Sequence, residues 1–348
     1  MPKIAVIGTT SWGITLGVVL ANKGLQVSLW ARTEQEAAEL ANGGSNLLVG
    51  VNSPANLSVT SSLSEALTEA NLVVLVVPSQ SMRQNIKLVV EHLSESTLIM
   101  SAAKGLELGS GLRMSQVIAD EVASDLRPNI CVLSGPNLSQ EILCGLPAAT
   151  VVAAEDEAIA RKAQKLFTTP NLCVYTNTDV VGVELGGALK NIIALGAGIA
   201  DGLGYGDNTK AALITRGLTE MTALGVALGA NPLTFSGLAG LGDLIATCAS
   251  PLSRNHYVGV ELTKGRSLSE IQDSMTGVAE GVSTTLVVWK LAQQLEMEMP
   301  ITEAIYRVLY DGADLKQAAD ELMLAGVTHE LAGRKWRLFS FLRQRRRS

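Results

Sequence analysis

From residue 3 to about residue 178 the sequence alternates two kinds of segment, and this alternation limits the fold more than any other feature. Short apolar runs occupy 3–8, 26–31, 71–77, 97–102, 130–134, 149–154 and 172–175. Between them lie stretches with helical periodicity at 15–22, 34–41, 81–92, 114–122 and 157–167. Several contain a continuous apolar stretch, such as 4–7 and 72–77, as a strand covered on both faces requires. Strand alternating with helix predicts a doubly wound parallel sheet, which binds ligands outside the carboxyl ends of its strands. After about Asp179 the strand signal stops. Helical patterns then fill 180–200, 209–228, 268–273, 283–295, 302–309 and 315–322. The expected organisation is therefore an α/β half over 1–178, an all-α half over 179–330 and a tail over 331–348, with a ligand cleft between the halves.

The chain has 348 residues, enough for two cores. Hydrophobic residues make up 47% and aromatics only 4%, so those cores are built from Ala, Val, Leu and Ile. The first strand runs into Gly8-Thr9-Thr10-Ser11-Trp12-Gly13 and then a helix. That is the place of the Rossmann-like fingerprint G-x-G-x-x-G, which turns the chain and seats a pyrophosphate on the helix N-terminus. Gly8 and Gly13 stand where the first and third glycines belong, and Thr10 replaces the middle one. Threonine is tolerable there only with φ below zero. Its hydroxyl offers a donor for a phosphate oxygen, while its Cβ widens the gap to the backbone. The alternative is an ordinary strand–turn–helix that binds something else. At the end of the second strand no acid precedes Glu34, and Arg32 is present. An arginine there suits the 2′-phosphate of NADP rather than the free 2′-hydroxyl of NAD. The alternative is a solvated arginine starting a helix.

The net charge of −6 argues against nucleic acid as a general partner. Cys131, Cys144, Cys173 and Cys248 form no C-x-x-C pair, so they read as reduced and buried in a cytoplasmic protein. With only His92, His256 and His329, a histidine-based metal site is not expected. The N-terminus carries no secretory pattern. The apolar stretch 180–200 has the length of a membrane span, but Glu184 and Lys190 inside it favour a buried helix.

Lys190 is the first candidate for chemistry. On a helix, Gly186, Gly187 and Ala194 share its face and leave room for something to approach the amine. A buried lysine of this kind transfers protons at a lowered pKa, or it simply pairs with a buried carboxylate such as Glu184 or Asp243. Both readings stay open at this level. Ser253-Arg254-Asn255 gathers donors suited to a phosphate monoester, or else forms a helix cap with a surface arginine. Lys104 and Gly135 follow predicted strand ends and face the cleft.

Taken in order, SWG, VVPS, AAKGLE, LSGP, GVELGGALKNIIALGAGIADG, LITRG, GLAGLGDL, SRN, VAEG and MPITE resemble the bacterial-type NAD(P)-dependent glycerol-3-phosphate dehydrogenases up to about Leu324. The resemblance implies reversible hydride transfer between a nicotinamide and dihydroxyacetone phosphate, giving sn-glycerol 3-phosphate for glycerophospholipid synthesis. It implies Lys190 as general acid/base, Lys104 as a cation near cofactor and substrate, and Asp243 as the group that orients Lys190, with Thr247 nearby. Gly135, Asn137, Ser253, Arg254 and Asn255 match substrate contacts, although the family often has Thr or Ser at the place of Asn137. Ser11, Trp12, Arg32, Val278 and Glu280 match cofactor contacts, with Gly8, Thr10, Gly13, Lys104 and Arg254 beside them. Ser139 falls where the family usually has Ala. A homodimer is also implied, with NADP preferred or NAD accepted.

Two features depart from the family, Thr10 and the tail. The tail carries Arg334, Lys335, Arg337, Arg343, Arg345, Arg346 and Arg347 with no acid, around Trp336, Phe339, Phe341 and Leu342. Such a segment is expected either to touch anionic lipid or to stay solvated or against the acidic body. The rival functions are a related two-domain reductase of another small oxo acid and an NADP-binding sensor without turnover.

Overall fold

The computed structural model describes residues 1–42 and 54–324. The tail 331–348, His329 and the end of the expected helical half lie outside the described residues. Among the described residues, eight strands form one sheet. They are β1 (Lys3–Ile7), β2 (Gln26–Trp30), β3 (Leu57–Thr60), β4 (Leu72–Leu75), β5 (Leu98–Ser101), β6 (Ile130–Ser134), β7 (Ala148–Ala153) and β8 (Leu172–Asn177). Their order is β3-β2-β1-β4-β5-β6-β7-β8.

Alternate residues of β1 explain why its run is apolar from Ile4 to Ile7. Ile4 and Val6 pack with Ile14, Leu16 and Leu20 on one face, and Ala5 and Ile7 pack with Met82, Ile86 and Val117 on the other. Strand order reverses between β1 and β4, so a crevice opens there at the strand carboxyl ends. The loops carrying Gly8, Arg32, Ser79, Lys104 and Gly135 follow β1, β2, β4, β5 and β6 on this one edge.

The expectation of a wholly parallel sheet is corrected at one seam, because β6 and β7 pair antiparallel. Between them the five-residue helix Ser139–Leu143 turns the chain back and is too short to carry it across the sheet. The sequence reading also missed β3, a half-exposed edge strand of sequence LSVT that has no apolar run.

Among the described residues the last strand ends at Asn177, and the helix Val180–Gly202 becomes the axis of the second half. It is long and apolar enough to cross a membrane, yet 83% of its apolar window is buried inside the protein. The helices Asp207–Ala227, Arg254–Thr263, Glu280–Gln294 and Pro300–Tyr310 pack around it. Glycine permits the closest of these contacts. A Cβ at Gly198 would lie 2.0 Å from the His256 carbonyl oxygen, and one at Gly259 would lie 2.2 Å from that of Leu195. Backbone therefore meets backbone where the Arg254–Thr263 helix crosses the axis.

All four cysteines are unpaired, but only Cys131 and Cys248 are buried. Cys144 and Cys173 are exposed, contrary to expectation. Cys173 sits on the outer face of the edge strand β8, and Cys144 ends the short helix after β6.

Candidate active site

At the end of β1 the backbone of Gly8 takes φ +117°, and a Cβ there would lie 2.6 Å from the Val76 carbonyl oxygen. A Cβ at Gly13 would lie 2.1 Å from the Gly8 carbonyl oxygen, so helix and strand touch only because both residues are glycine. Thr10 has φ −63° and caps the Ser11–Asn22 helix. Its hydroxyl accepts from the Gly13 N–H at 3.1 Å and donates to the Val76 carbonyl at 3.0 Å. The expectation that this hydroxyl serves a phosphate oxygen is thereby corrected, since it is engaged within the protein and ties the loop across the crevice to the end of β4. Ser11 and Trp12 open the helix with N–H groups that have no intrahelical acceptor, which is the arrangement that attracts an anion. The buried Trp12 Nε1 also has no partner among the described residues. A glycine-lined turn, free first-turn donors and an exposed arginine after β2 fit a dinucleotide.

Lys190 is 6% exposed. Its Nζ donates to Asp243 Oδ1 and, at 2.6 Å, to Thr247 Oγ1. The other oxygen of Asp243 accepts from Lys104 Nζ at 2.7 Å, and Lys104 also donates to the Gly135 carbonyl at 2.8 Å. One buried carboxylate thus holds two ammonium groups, which leaves an excess of positive charge. Glu184, the other candidate partner of Lys190, instead binds Arg113 and Ser115 at the start of the Met114–Glu121 helix. Burial lowers the Lys190 pKa to about 8, the Asp243 charge pulls it upward and the Lys104 charge lowers it further.

The glycines beside Lys190 do different work from that expected. A Cβ at Gly187 would lie 2.5 Å from Ser134 Oγ and 3.4 Å from Lys104 Cγ, and one at Gly186 would lie 2.5 Å from the Ala239 carbonyl oxygen. The space they leave admits the Lys104 stem and the π-turn Leu238–Gly242 that leads into Asp243. Asp243 and Thr247 then lie one turn apart on the helix Asp243–Ala249.

The Ser253-Arg254-Asn255 group divides its work, with the helix cap and exposed arginine of the alternative reading both present. Ser253 Oγ caps the Arg254–Thr263 helix by accepting from the His256 N–H. Asn255 donates to Asn191 Oδ1 at 2.9 Å and accepts from the Gly281 N–H at 2.9 Å, so its amide links three elements. Asn191 in turn approaches the Lys104 carbonyl at 3.4 Å. Arg254 is exposed, lies against Gly277 and has no hydrogen bond to a described side chain. It and the first-turn N–H groups of its helix are the available donors for an anion.

Glu280 opens the Glu280–Gln294 helix and accepts from both the N–H and the hydroxyl of Ser79, which joins the halves of the molecule next to Lys104. Burial pushes its carboxyl above the usual range. Val278 is exposed nearby. Asn137 donates to Thr150 Oγ1 at 3.1 Å, while its buried Oδ1 has no partner among the described residues and can accept from a ligand hydroxyl. Ser139 starts the helix that packs against Ser11–Asn22. Sequence reading missed Asn191, Ser79 and Glu36. Asn191 and Ser79 act through partners far away in sequence, with no local pattern to mark them. Glu36 binds Thr9, 27 residues away, and also the Arg32 N–H, and the helix-start pattern Thr33-x-x-Glu36 is the one local signal that could have found it.

Residues 3–160 match the N-terminal half of the NAD-dependent glycerol-3-phosphate dehydrogenase family, and residues 179–320 match its C-terminal half. A glycerol-3-phosphate dehydrogenase [NAD(P)+] of Dehalococcoides mccartyi is 64% identical over 99% of this chain and 97% of that one. One from Streptomyces coelicolor is 50% identical over 92% of this chain and 96% of that one. The crystal structure of glycerol-3-phosphate dehydrogenase from Coxiella burnetii superposes with a TM-score of 0.87 at 36% identity, covering 92% of this chain and 98% of that one. With both halves matched and relatives aligned over nearly their full length, the chain belongs to the NAD(P)-dependent glycerol-3-phosphate dehydrogenase family.

Proposed function

We propose that the chain catalyses reversible hydride transfer between NAD(P)H and dihydroxyacetone phosphate, giving sn-glycerol 3-phosphate for glycerophospholipid synthesis. The observation that carries this reading is the buried Asp243 carboxylate shared by Lys190 and Lys104 at the cleft. When bound, the nicotinamide supplies or accepts the hydride. Lys190 gives a proton to the carbonyl oxygen in reduction and takes it back in oxidation, a role suited to a lysine whose pKa is lowered to about 8. Lys104 adds positive charge where negative charge develops on that oxygen. Asp243 and Thr247 orient Lys190, and Asn137 and Gly135 face the substrate's remaining polar groups. Arg254 and the first turn that Ser253 and Asn255 organise hold the phosphate. Gly8, Thr10, Ser11, Trp12 and Gly13 form the pyrophosphate cradle, with Ser139, Val278 and Glu280 along the cofactor path and Arg32 favouring NADP. The division at residues 178 and 179 separates dinucleotide-binding from substrate-binding work. A homodimer in the cytoplasm is the working state, and four unpaired cysteines suit that compartment.

The test is loss of NADPH absorbance with dihydroxyacetone phosphate, dihydroxyacetone and two-carbon to five-carbon 2-oxo acids. Turnover confined to the phosphate ester supports the reading. Turnover of an oxo acid instead would favour a related reductase, and tight NADPH binding without turnover would favour a sensor.

A further inference from the structure

The adenosine ribose of a dinucleotide bound by this fold passes between the glycine loop after β1 and the end of β2. In this chain a carboxylate joins those two segments. Glu36 lies in the first turn of the helix Glu34–Ala41 and reaches back out of it. One of its oxygens accepts from the Arg32 N–H at 3.0 Å, and the other accepts from the hydroxyl of Thr9, next to Gly8. The Arg32 side chain is exposed and has no hydrogen bond to a described residue. A carboxylate held on the Arg32 backbone therefore stands at the loop where the ribose 2′ substituent would lie, next to the residue that carries the guanidinium. Their preferences are opposite. A guanidinium pairs with a 2′-phosphate, whereas a carboxylate accepts from a 2′-hydroxyl and repels a phosphate. A carboxylate also has lone pairs to spare after taking two donors.

We infer that Glu36 is a specificity-determining residue that offsets Arg32 at the ribose 2′ position, so that this chain accepts NADH as well as NADPH. The inference rests on the proposed dinucleotide chemistry. It assigns the discrimination to a charge four residues beyond the position usually consulted.

The experiment measures Kd for NADPH and for NADH by fluorescence titration of the full chain, without substrate. Wild type is compared with Glu36→Gln, Arg32→Ser and Thr9→Val. Removing one unit charge beside a phosphate is expected to shift the NADPH-to-NADH preference by about tenfold. Glu36→Gln shifts it toward NADPH, and Arg32→Ser shifts it by a similar factor toward NADH. Thr9→Val keeps the charge and removes only its donor, so it holds the preference within about threefold of wild type. A ratio unchanged in Glu36→Gln, or moved toward NADH, overturns the inference. An equal shift in Thr9→Val also overturns it, because loop geometry rather than charge would then set the preference. Folded wild type that binds neither dinucleotide would remove the underlying functional reading, and this inference with it.

Discussion

Replacing Asp243 by Asn leaves Lys190 buried but takes away the charge that supports its protonated form. Burial already brings the Lys190 pKa to about 8 despite that charge. Two opposite unit charges about 4 Å apart attract by about 4 kcal/mol at an effective dielectric of about 20, and one pKa unit is about 1.4 kcal/mol. The asparagine carbonyl still accepts from one lysine, which recovers part of this, so the expected net fall is about 1–2 pKa units. Reduction needs Lys190 protonated. Its kcat/KM therefore declines as pH rises through the Lys190 pKa, and the variant declines from a lower pH. At pH 7 the protonated fraction drops from about nine-tenths to between about half and one-tenth, which costs about twofold to tenfold before any effect on Lys104. The assay is NADPH oxidation with dihydroxyacetone phosphate from pH 5.5 to 9.5, with thermal unfolding to confirm that the variant folds. A limb fixed near pH 8 in both proteins, with activity lowered equally at every pH, would refute Lys190 as the titrating acid. The same sign governs stability. The folded pKa is below the usual lysine value of 10.5, so the unfolded chain binds more protons between the two values. The cost of burying Lys190 is therefore full below about pH 8 and fades as pH rises toward 10.5.

Thr10→Val keeps the side-chain shape and removes both hydroxyl bonds. It is expected to cost about 1–2 kcal/mol in urea unfolding and to weaken NADPH binding a few fold, with turnover retained. Gly187→Ala places a methyl 2.5 Å from Ser134 Oγ and presses on the Lys104 stem. The expected result is a kcat lowered by about 10- to 100-fold, with a reduction limb still governed by Lys190. Glu184→Gln leaves Arg113 without its carboxylate at a contact joining the two halves, and a loss of about 3 kcal/mol in unfolding free energy is expected.

The α/β half was legible because its central strands carry runs of consecutive apolar residues, such as 4–7 and 72–75, as burial on both faces requires, and helical patterns separate them. Edge and seam were less legible. β3 alternates polar residues on a half-exposed edge, and the antiparallel turn between β6 and β7 depends on how a short helix folds back. In the helical half, Lys190 stood out as a charge in an apolar helix. Which carboxylate it would meet was not legible, because Glu184 and Asp243 are equally plausible in sequence. The choice is made by packing. Glycines at 186 and 187 let the Leu238–Gly242 turn and the Lys104 stem reach the amine, while Glu184 faces the start of another helix. The same small residues suggested an open pocket in sequence and turned out to be filled by the protein's own chain. The helix Arg254–Thr263 was missed because its glycine and polar residues weaken the helical pattern, although they are what lets it cross the axis closely. Thr10 broke the fingerprint pattern, and only the neighbouring carbonyl of Val76 explains how its hydroxyl is used.

The central claim is that Lys190, held by Asp243 and Thr247, is the proton donor for reduction of dihydroxyacetone phosphate. The most direct measurement compares NADPH oxidation by wild type and Lys190→Ala at pH 7, with NADPH binding and thermal unfolding followed in parallel. The account predicts a rate lowered by about 10²- to 10⁴-fold in a variant that folds and still binds NADPH. A folded, NADPH-binding Lys190→Ala protein within about tenfold of wild type would contradict it, because the loss of a general acid costs at least about a hundredfold.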